Sequence, residues 1–452
     1  MPAVQDLLAL HRHAPERYPY LLETTTESRG ERAWDILLAF PEGVLELRRP
    51  DSLYRDDERL PHADFFLELD RWQAPLHTTA PNPHGFPFIG GWFLFLAYEL
   101  GALLEPTVPQ RYDNRLPLAW AQRCPAAILR DRISGETWFL SEEVRPAQSQ
   151  LVKEDIAALY EVLIPEAPRV EVLAEPRGWF VDAVLATQEA IRAGDLFQAN
   201  LSRVWTAHTT EPAWVLYARL RQANPAPFAG IARIGGVSIV SSSPERLVAI
   251  RGGEVRVRPI AGTRPRVSVV EDEVETALLK AHPKERAEHV MLVDLARNDL
   301  GRVCTLGTVK VQAFMEVETY RYVHHLVSDV VGRVSDPLRP GEVIAAVFPG
   351  GTITGCPKVR AMQLIRAFEP QARGLYTGSM GYLGRDGSLD LNILIRTLLY
   401  DAGAVEVRAG AGIVADSVPH QEVAETEAKA LGMLSALSRT RPRLGHVAPD
   451  NP

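Results

Sequence analysis

The sequence predicts a mixed α/β protein, and three observations carry that prediction. Between about Leu21 and Leu151, short apolar runs such as WDILLAF, GVLELRR and AAILRD are punctuated by Pro, Gly and Asp, the texture of strands joined by turns. Beyond Gly178, strand-like runs such as GVSIVSSS and EVRVRPI alternate with longer segments of helical period. The 452 residues, 46% hydrophobic and 23% charged, hold enough apolar mass for a large core or two domains.

Taken in order, the start MPAVQDLLALHRHAPERYPY lacks a basic stretch followed by a long apolar one, so no secretory signal is expected. The most apolar run, PFIGGWFLFLAYELGALL from Pro87 to Leu104, contains Tyr98, Glu99 and the pair Gly90-Gly91, and reads as a buried strand and turn rather than a membrane span. IPEAPRVEVLAEPRG, Ile164 to Gly178, is rich in Pro and Glu without helical period and is the expected linker. It divides a β-rich region, 1–163, from a second domain, 179–440, with 441–452 as a tail.

Two helices matter in that second domain. One opens at Pro283, a favoured first-turn residue, and runs KERAEHVMLVDLARNDL, with Ala287, Val290, Met291 and Leu295 expected on its apolar face. The other begins near Ser417 and Pro419 and runs HQEVAETEAKALGMLSAL, with Ala424, Ala428 and Leu431 expected inward and Ser435 continuing the row.

A formal charge of -8 argues against nucleic-acid binding, which needs a sustained basic surface. The arginines Arg256, Arg258, Arg264 and Arg266 around Ala261-Gly262-Thr263 are therefore a local feature, serving either an anionic ligand or local salt bridges. Cys124, Cys304 and Cys356 are odd in number and lack C-x-x-C spacing, so buried thiols in a reducing, cytoplasmic setting are expected rather than disulfides or zinc.

Glu285 and Glu288 lie three apart on the first helix, and Glu422 and Glu425 three apart on the second, so each pair shares a helical face. Four carboxylates suit a hard divalent cation such as magnesium. Taken alone, each pair is more often a solvated, salt-bridged face, with Lys284, Arg286 and Lys429 as ready partners. FPGGTITGCPKVRAMQLI, Phe348 to Ile365, is a glycine-rich loop entering a helix, readable as an anion site or as a tight structural turn, and not as a Walker loop. Glu245, His324-His325, Gln198 and Arg396 fall in apolar contexts, where a carboxyl group rises in pKa and serves as an acid near neutrality. No G-x-S-x-G or H-E-x-x-H motif is present.

Together GDLFQANLSR, SSSPERL, RPIAGTRPR, KERAEHVMLVDLARNDLGRV, HHLVS, FPGGTITGCPKVRAMQLI, GSMGYL, LDLNILIRT and AGAGIVADS, followed by Glu422, Glu425 and Lys429, resemble the chorismate-utilising enzymes, the family of anthranilate synthase and aminodeoxychorismate synthase component I. The resemblance spans about Gly194 to Lys429, with LLETT and PFIGG weaker upstream matches. It implies two large packed antiparallel sheets flanked by helices, with the active site in a cleft. It also implies magnesium held by Glu285, Glu288, Glu422 and Glu425, facing the ring carboxylate of chorismate. Thr263 lines the ring, while Tyr376, Arg396, Lys429 and the backbone of Gly410 to Gly412 take substrate carboxylates. Glu245 is the implied general acid for the hydroxyl leaving carbon 4, with His325 beside it.

Isochorismate and salicylate synthases resemble the same pattern but carry a lysine base where this chain has Gln198, so amination by ammonia is expected over hydration. Aminodeoxychorismate synthases typically read PIKGT, and here Ala261 replaces that lysine, as in anthranilate synthases. FPGGTITG, GSMGYL and LDLNILIRTLL resemble the former. The expected product is thus 4-amino-4-deoxychorismate, for 4-aminobenzoate and folate, with anthranilate as the alternative. No glutaminase G-x-C-x-G is present, so ammonia is expected from a separate glutamine amidotransferase subunit, with neither nucleic acid nor membrane as partner. LLETT is the only hint of an effector pocket like the tryptophan site of some relatives.

Overall fold

Two antiparallel sheets, of eleven and twelve strands, pack face to face in the computed structural model, which describes residues 4–26, 33–266, 269–319, 323–335 and 337–437. The strand Tyr20–Glu23 shows why they pack. Its residues alternate across the pleat, so Tyr20 joins the core between the sheets while Leu21 joins the core beneath the outer helices. The ring of Tyr20 stacks on Phe93 of the other sheet at 3.8 Å. Gly91–Leu96 is buried along its whole length for the same reason: Phe93 and Phe95 face the first sheet, and Trp92, Leu94 and Leu96 face the helices outside. The PFIGGWFLFL run is thus a central strand, and no helix among the described residues is long and apolar enough to cross a membrane.

The first sheet runs from the edge strand Val172–Ala174 through Gln198–His208, Ala404–Ile413 and Thr397–Asp401 to Val237–Ser243, and ends on strands from the first 141 residues. The second runs from Ile260–Pro265 through Val323–Arg333, Glu254–Val257 and Arg246–Arg251, and also ends on early strands. Both sheets therefore draw on segments either side of 164–178, and regions 1–163 and 179–440 interleave in shared cores. The expected linker itself supplies the edge strand Val172–Ala174 and, from Arg177, the first turn of a helix. The 441–452 tail lies outside the described residues.

Both long helices stand where expected, as Pro283–Gly301 and Pro419–Leu434, but with different faces inward. The first buries His289, Leu292, Val293, Ala296 and Leu300, while Ala287 and Val290 are exposed. The second buries Val423, Thr426, Ala430 and Met433, while Ala424, Ala428 and Ser435 are exposed. Each sequence carries apolar residues on adjacent rows, and the row that meets the sheet wins because it alone removes large side chains from water. Of the cysteines only Cys124 is buried, and all three are free thiols.

One buried cation ties three segments together. Arg373, 2% exposed, bonds Glu369 through Nη2 at 2.6 Å and Nε at 3.0 Å, and donates to the carbonyls of Asn200 at 2.6 Å and Ile353 at 3.1 Å. Glu369 in turn accepts from the backbone N–H and hydroxyl of Ser202, each at 2.9 Å. Replacing Arg373 with methionine keeps bulk but strands a buried carboxylate and two carbonyls. We expect Arg373→Met to cost about 3–5 kcal/mol in urea unfolding. A loss no larger than that of an exposed arginine would contradict this role.

Candidate active site

The strands Gln198–His208 and Ala404–Ile413 pair with Asn200 opposite Gly412 and Ser202 opposite Gly410. Ala199, Leu201, Ala411 and Ile413 point into apolar cores, so period two sends Gln198, Asn200, Gly410 and Gly412 to the other face. Close approach explains the glycines there. A Cβ on Gly412 would lie 2.5 Å from Gln198 Nε2, and one on Gly410 would lie 2.6 Å from Asn200 Oδ1 and 2.7 Å from the Tyr376 hydroxyl. Lys429, from the Pro419–Leu434 helix, bonds the Gly410 carbonyl at 3.0 Å and pairs with Glu425 at 2.6 Å.

Glu245 follows the strand Val237–Ser243 and is buried. Its Oε1 accepts from the Thr352 hydroxyl at 2.6 Å, a bond supplied by the FPGGTITG loop. Burial pushes its pKa up to about 7, against the opposing pull of Thr352, Arg396 and Lys429. Arg396 sits at φ +51, is itself lowered in pKa by burial, and feels the Glu245 carboxyl. The same guanidinium, after burial, lowers His325, whose pKa falls to about 4. The imidazole is therefore neutral, and its Nδ1 meets the Gly262 carbonyl at 3.4 Å, which places the proton on Nδ1.

Gly262 lies in the left-handed region at φ +71 within Ile260–Pro265, where the pairing to Val323–Arg333 shifts register between Ala261 and Thr263. A Cβ on Gly262 would meet Glu285 Oε2 at 2.8 Å, so the AGT turn, His325 and the Pro283–Gly301 helix converge. Ala261 is 6% exposed and presents only a methyl; the Thr263 side chain lies outside the described residues. On the next helical turn Glu288 accepts from Gln198 Nε2 at 3.0 Å. Glu422 is half-buried one turn before Thr426.

The structure thus links many of the predicted side chains. Glu285 and Glu288 approach the AGT turn and Gln198, Glu425 pairs with Lys429, and Lys429, bonded to the glycine strand, acts on Glu245 through its charge. The four carboxylates offer only oxygen donors, the chemistry a hard divalent cation takes, but they do not stand assembled around one point. Among the described residues no three His, Cys, Asp or Glu already stand as a ligating cluster. The four arginines around the AGT turn are engaged locally: Arg256 and Arg258 with Asp329, Arg264 with Glu275 and Arg266 with Asp272. The loop lysine serves the fold as well, since Lys358 is buried on Asp299 at 2.8 Å.

Size and chemistry point to different places. A cleft of about 960 Å³ lies elsewhere, lined by Leu22, Glu23 and Thr24 of LLETT and by Pro227, Phe228 and Arg246, and it includes none of the predicted site residues. The acid, cations and carboxylates, rather than volume, mark the candidate site. Thr352 and Asn200 are the residues that sequence reasoning passed over. Thr352 was visible only as part of a glycine-rich loop, whereas Asn200 is marked by strand period, two residues from Gln198.

A model described as a chorismate binding enzyme matches residues 19–435. The chain belongs to the chorismate-binding enzyme family. It is 48% identical over 387 residues to anthranilate synthase component 1 of Geobacillus stearothermophilus, covering 79% of this chain and 76% of that one. It is 38% identical over 397 residues to aminodeoxychorismate synthase component 1 of Bacillus subtilis, covering 84% of each. The crystal structure of anthranilate synthase component I from Streptococcus pneumoniae superposes with a TM-score of 0.80 at 32% identity, covering 90% of this chain and 93% of that one. The two packed sheets of this chorismate-utilising enzyme are therefore the family's fold, as the resemblance implied.

The Thr352 bond lowers the Glu245 pKa, so removing it acts upward. Glu23 and Glu99 are also pushed up to about 7 by burial, so the difference in infrared titration between the folded protein and Glu245→Gln should isolate one carboxyl band lost as pH rises through about 7, and Thr352→Val should displace that band to higher pH. A band unmoved by the threonine change would remove Thr352 from the acid's environment.

Proposed function

We propose that this chain aminates chorismate with ammonia to give 4-amino-4-deoxychorismate, the precursor of 4-aminobenzoate in folate synthesis. The observation that carries the amination is Gln198. Its amide N–H is held by Glu288, and a glutamine in this place supplies no base to activate water. Ammonia brings its own lone pair. In this reading Arg396, with Tyr376 and Lys429 nearby, receives substrate carboxylate. Glu245, kept protonated by burial, delivers its proton to the hydroxyl leaving carbon 4. Neutral His325 hydrogen-bonds near that hydroxyl without competing as a charged donor.

Glu285, Glu288, Glu422 and Glu425 would hold magnesium, which supplies countercharge to the ring carboxylate of the dianionic substrate. Ala261 offers no amine to add at carbon 2, so every new carbon–nitrogen bond is made to ammonia itself. The stretches FPGGTITG, GSMGYL and LDLNILIRTLL support the 4-amino product. Ala261 favours a second reading, anthranilate with release of pyruvate, which matches the activity named for the relative from Geobacillus stearothermophilus. A glutamine amidotransferase subunit would supply ammonia in either case, in keeping with the component naming of the relatives.

The test supplies the isolated chain with chorismate, magnesium and ammonium salts. We expect chorismate to be consumed, 4-aminobenzoate to form only after addition of the lyase that aromatises aminodeoxychorismate, and chelation by EDTA to stop turnover until magnesium is restored. Anthranilate formed without the lyase refutes the product assignment, and unconsumed chorismate refutes amination. Glu245→Gln should lower kcat by about 10²–10⁴-fold while leaving the chorismate KM within a few-fold, the signature of a lost general acid.

A further inference from the structure

Among the described residues, two buried amide oxygens beside Glu288 and Gly410 meet no donor. Gln198 is 4% exposed, and because its Nε2 donates to Glu288, an acceptor only, the other end of the amide is fixed as the oxygen. That Oε1 is buried without a hydrogen-bond partner, and so is Oδ1 of Asn200 two residues along the same strand. Residues i and i+2 share a face, so both oxygens stand on the side of the sheet that carries Gly410 and Gly412. Asn200 is anchored by its backbone, its N–H to Thr354 at 2.9 Å and its carbonyl to Arg373 at 2.6 Å, which leaves the side chain to serve another group. The Tyr376 hydroxyl lies within 2.7 Å of the same point over Gly410 that Asn200 Oδ1 approaches.

Buried acceptors of this kind cost free energy unless a donor meets them. A ligand rich in N–H that two acceptors on one strand face can share is ammonia: amide oxygens take its N–H groups and leave the lone pair free to attack. We propose that Gln198 Oε1 and Asn200 Oδ1, with the Tyr376 hydroxyl at its edge, form the seat of the incoming ammonia. The seat rests on the amination reading, and it assigns Asn200, a neutral residue on a sheet strand, a binding role in nitrogen delivery.

The experiment measures steady-state kinetics of the isolated chain with ammonium chloride as nitrogen source. Asn200→Ala should raise the ammonium KM by about tenfold, as for one lost hydrogen bond, while the chorismate KM stays within about twofold. Asn200→Asp, isosteric and still an acceptor, should return the ammonium KM close to the wild-type value. Should the alanine variant fail to fold, Asn200→Leu, of similar volume and without polar atoms, carries the same expectation. An unchanged ammonium KM overturns the seat. So does a raised chorismate KM made worse by Asn200→Asp, because that pattern puts an amide N–H against substrate carboxylate. If the wild type consumes no chorismate with ammonium, the amination reading falls and takes the seat with it; if it turns over and only the variants disagree, the seat alone falls.

Discussion

The Arg373–Glu369 pair is the interaction on which the site geometry depends. Its donors and acceptors reach the Gln198–His208 strand through Asn200 and Ser202, and the glycine-rich loop through Ile353. They reach the Tyr376 turn through the Thr377 hydroxyl at 3.2 Å. The guanidinium also packs against the rings of Tyr98 and Tyr376, at 4.7 and 5.5 Å. Segments far apart in sequence are thus placed relative to one another by a single rigid fork of donors, a role a flexible ammonium fills less well. Gln198, Asn200, Thr352 and Tyr376 each lie within three residues of a group this fork holds.

Positioning then decides protonation. Burial drives Glu245 toward its neutral acid, while Thr352, Arg396 and Lys429 draw it back, and the balance falls near neutrality. The same burial works in the opposite sense on His325 and keeps the imidazole uncharged. Arg396 contributes to both, pulling the carboxyl down and pushing the imidazole further down. Between about pH 4 and about pH 7 the pair is therefore one neutral carboxyl and one neutral imidazole.

Much of this was legible in the sequence, for reasons that differ from residue to residue. Gly91–Leu96 was readable as a buried strand because every position is apolar, and the helix openings because Pro283 and Pro419 mark them. Helical phase was not, since Val290 and Leu292 are equally apolar and only the sheet beneath selects one. The role of 164–178 escaped for a similar reason: a short edge strand, Val172–Ala174, takes its structure from Trp205–Ala207 across the ladder rather than from local preference. The acid, the histidine and the carboxylates were legible through motif resemblance. Thr352 was not, because a hydroxyl in a glycine-rich loop carries no signature until its neighbours are in place, and Asn200 offered only its strand period with Gln198.

Neutron diffraction from deuterated crystals at a pD near 6 tests the central claim most directly, that packing of the two sheets holds the acid and the histidine in their working protonation states. The account predicts a deuteron on the Glu245 carboxyl, with Thr352 donating to Oε1, and a single deuteron on the His325 ring, at Nδ1. A bare Glu245 carboxylate, or a doubly protonated His325, would contradict it.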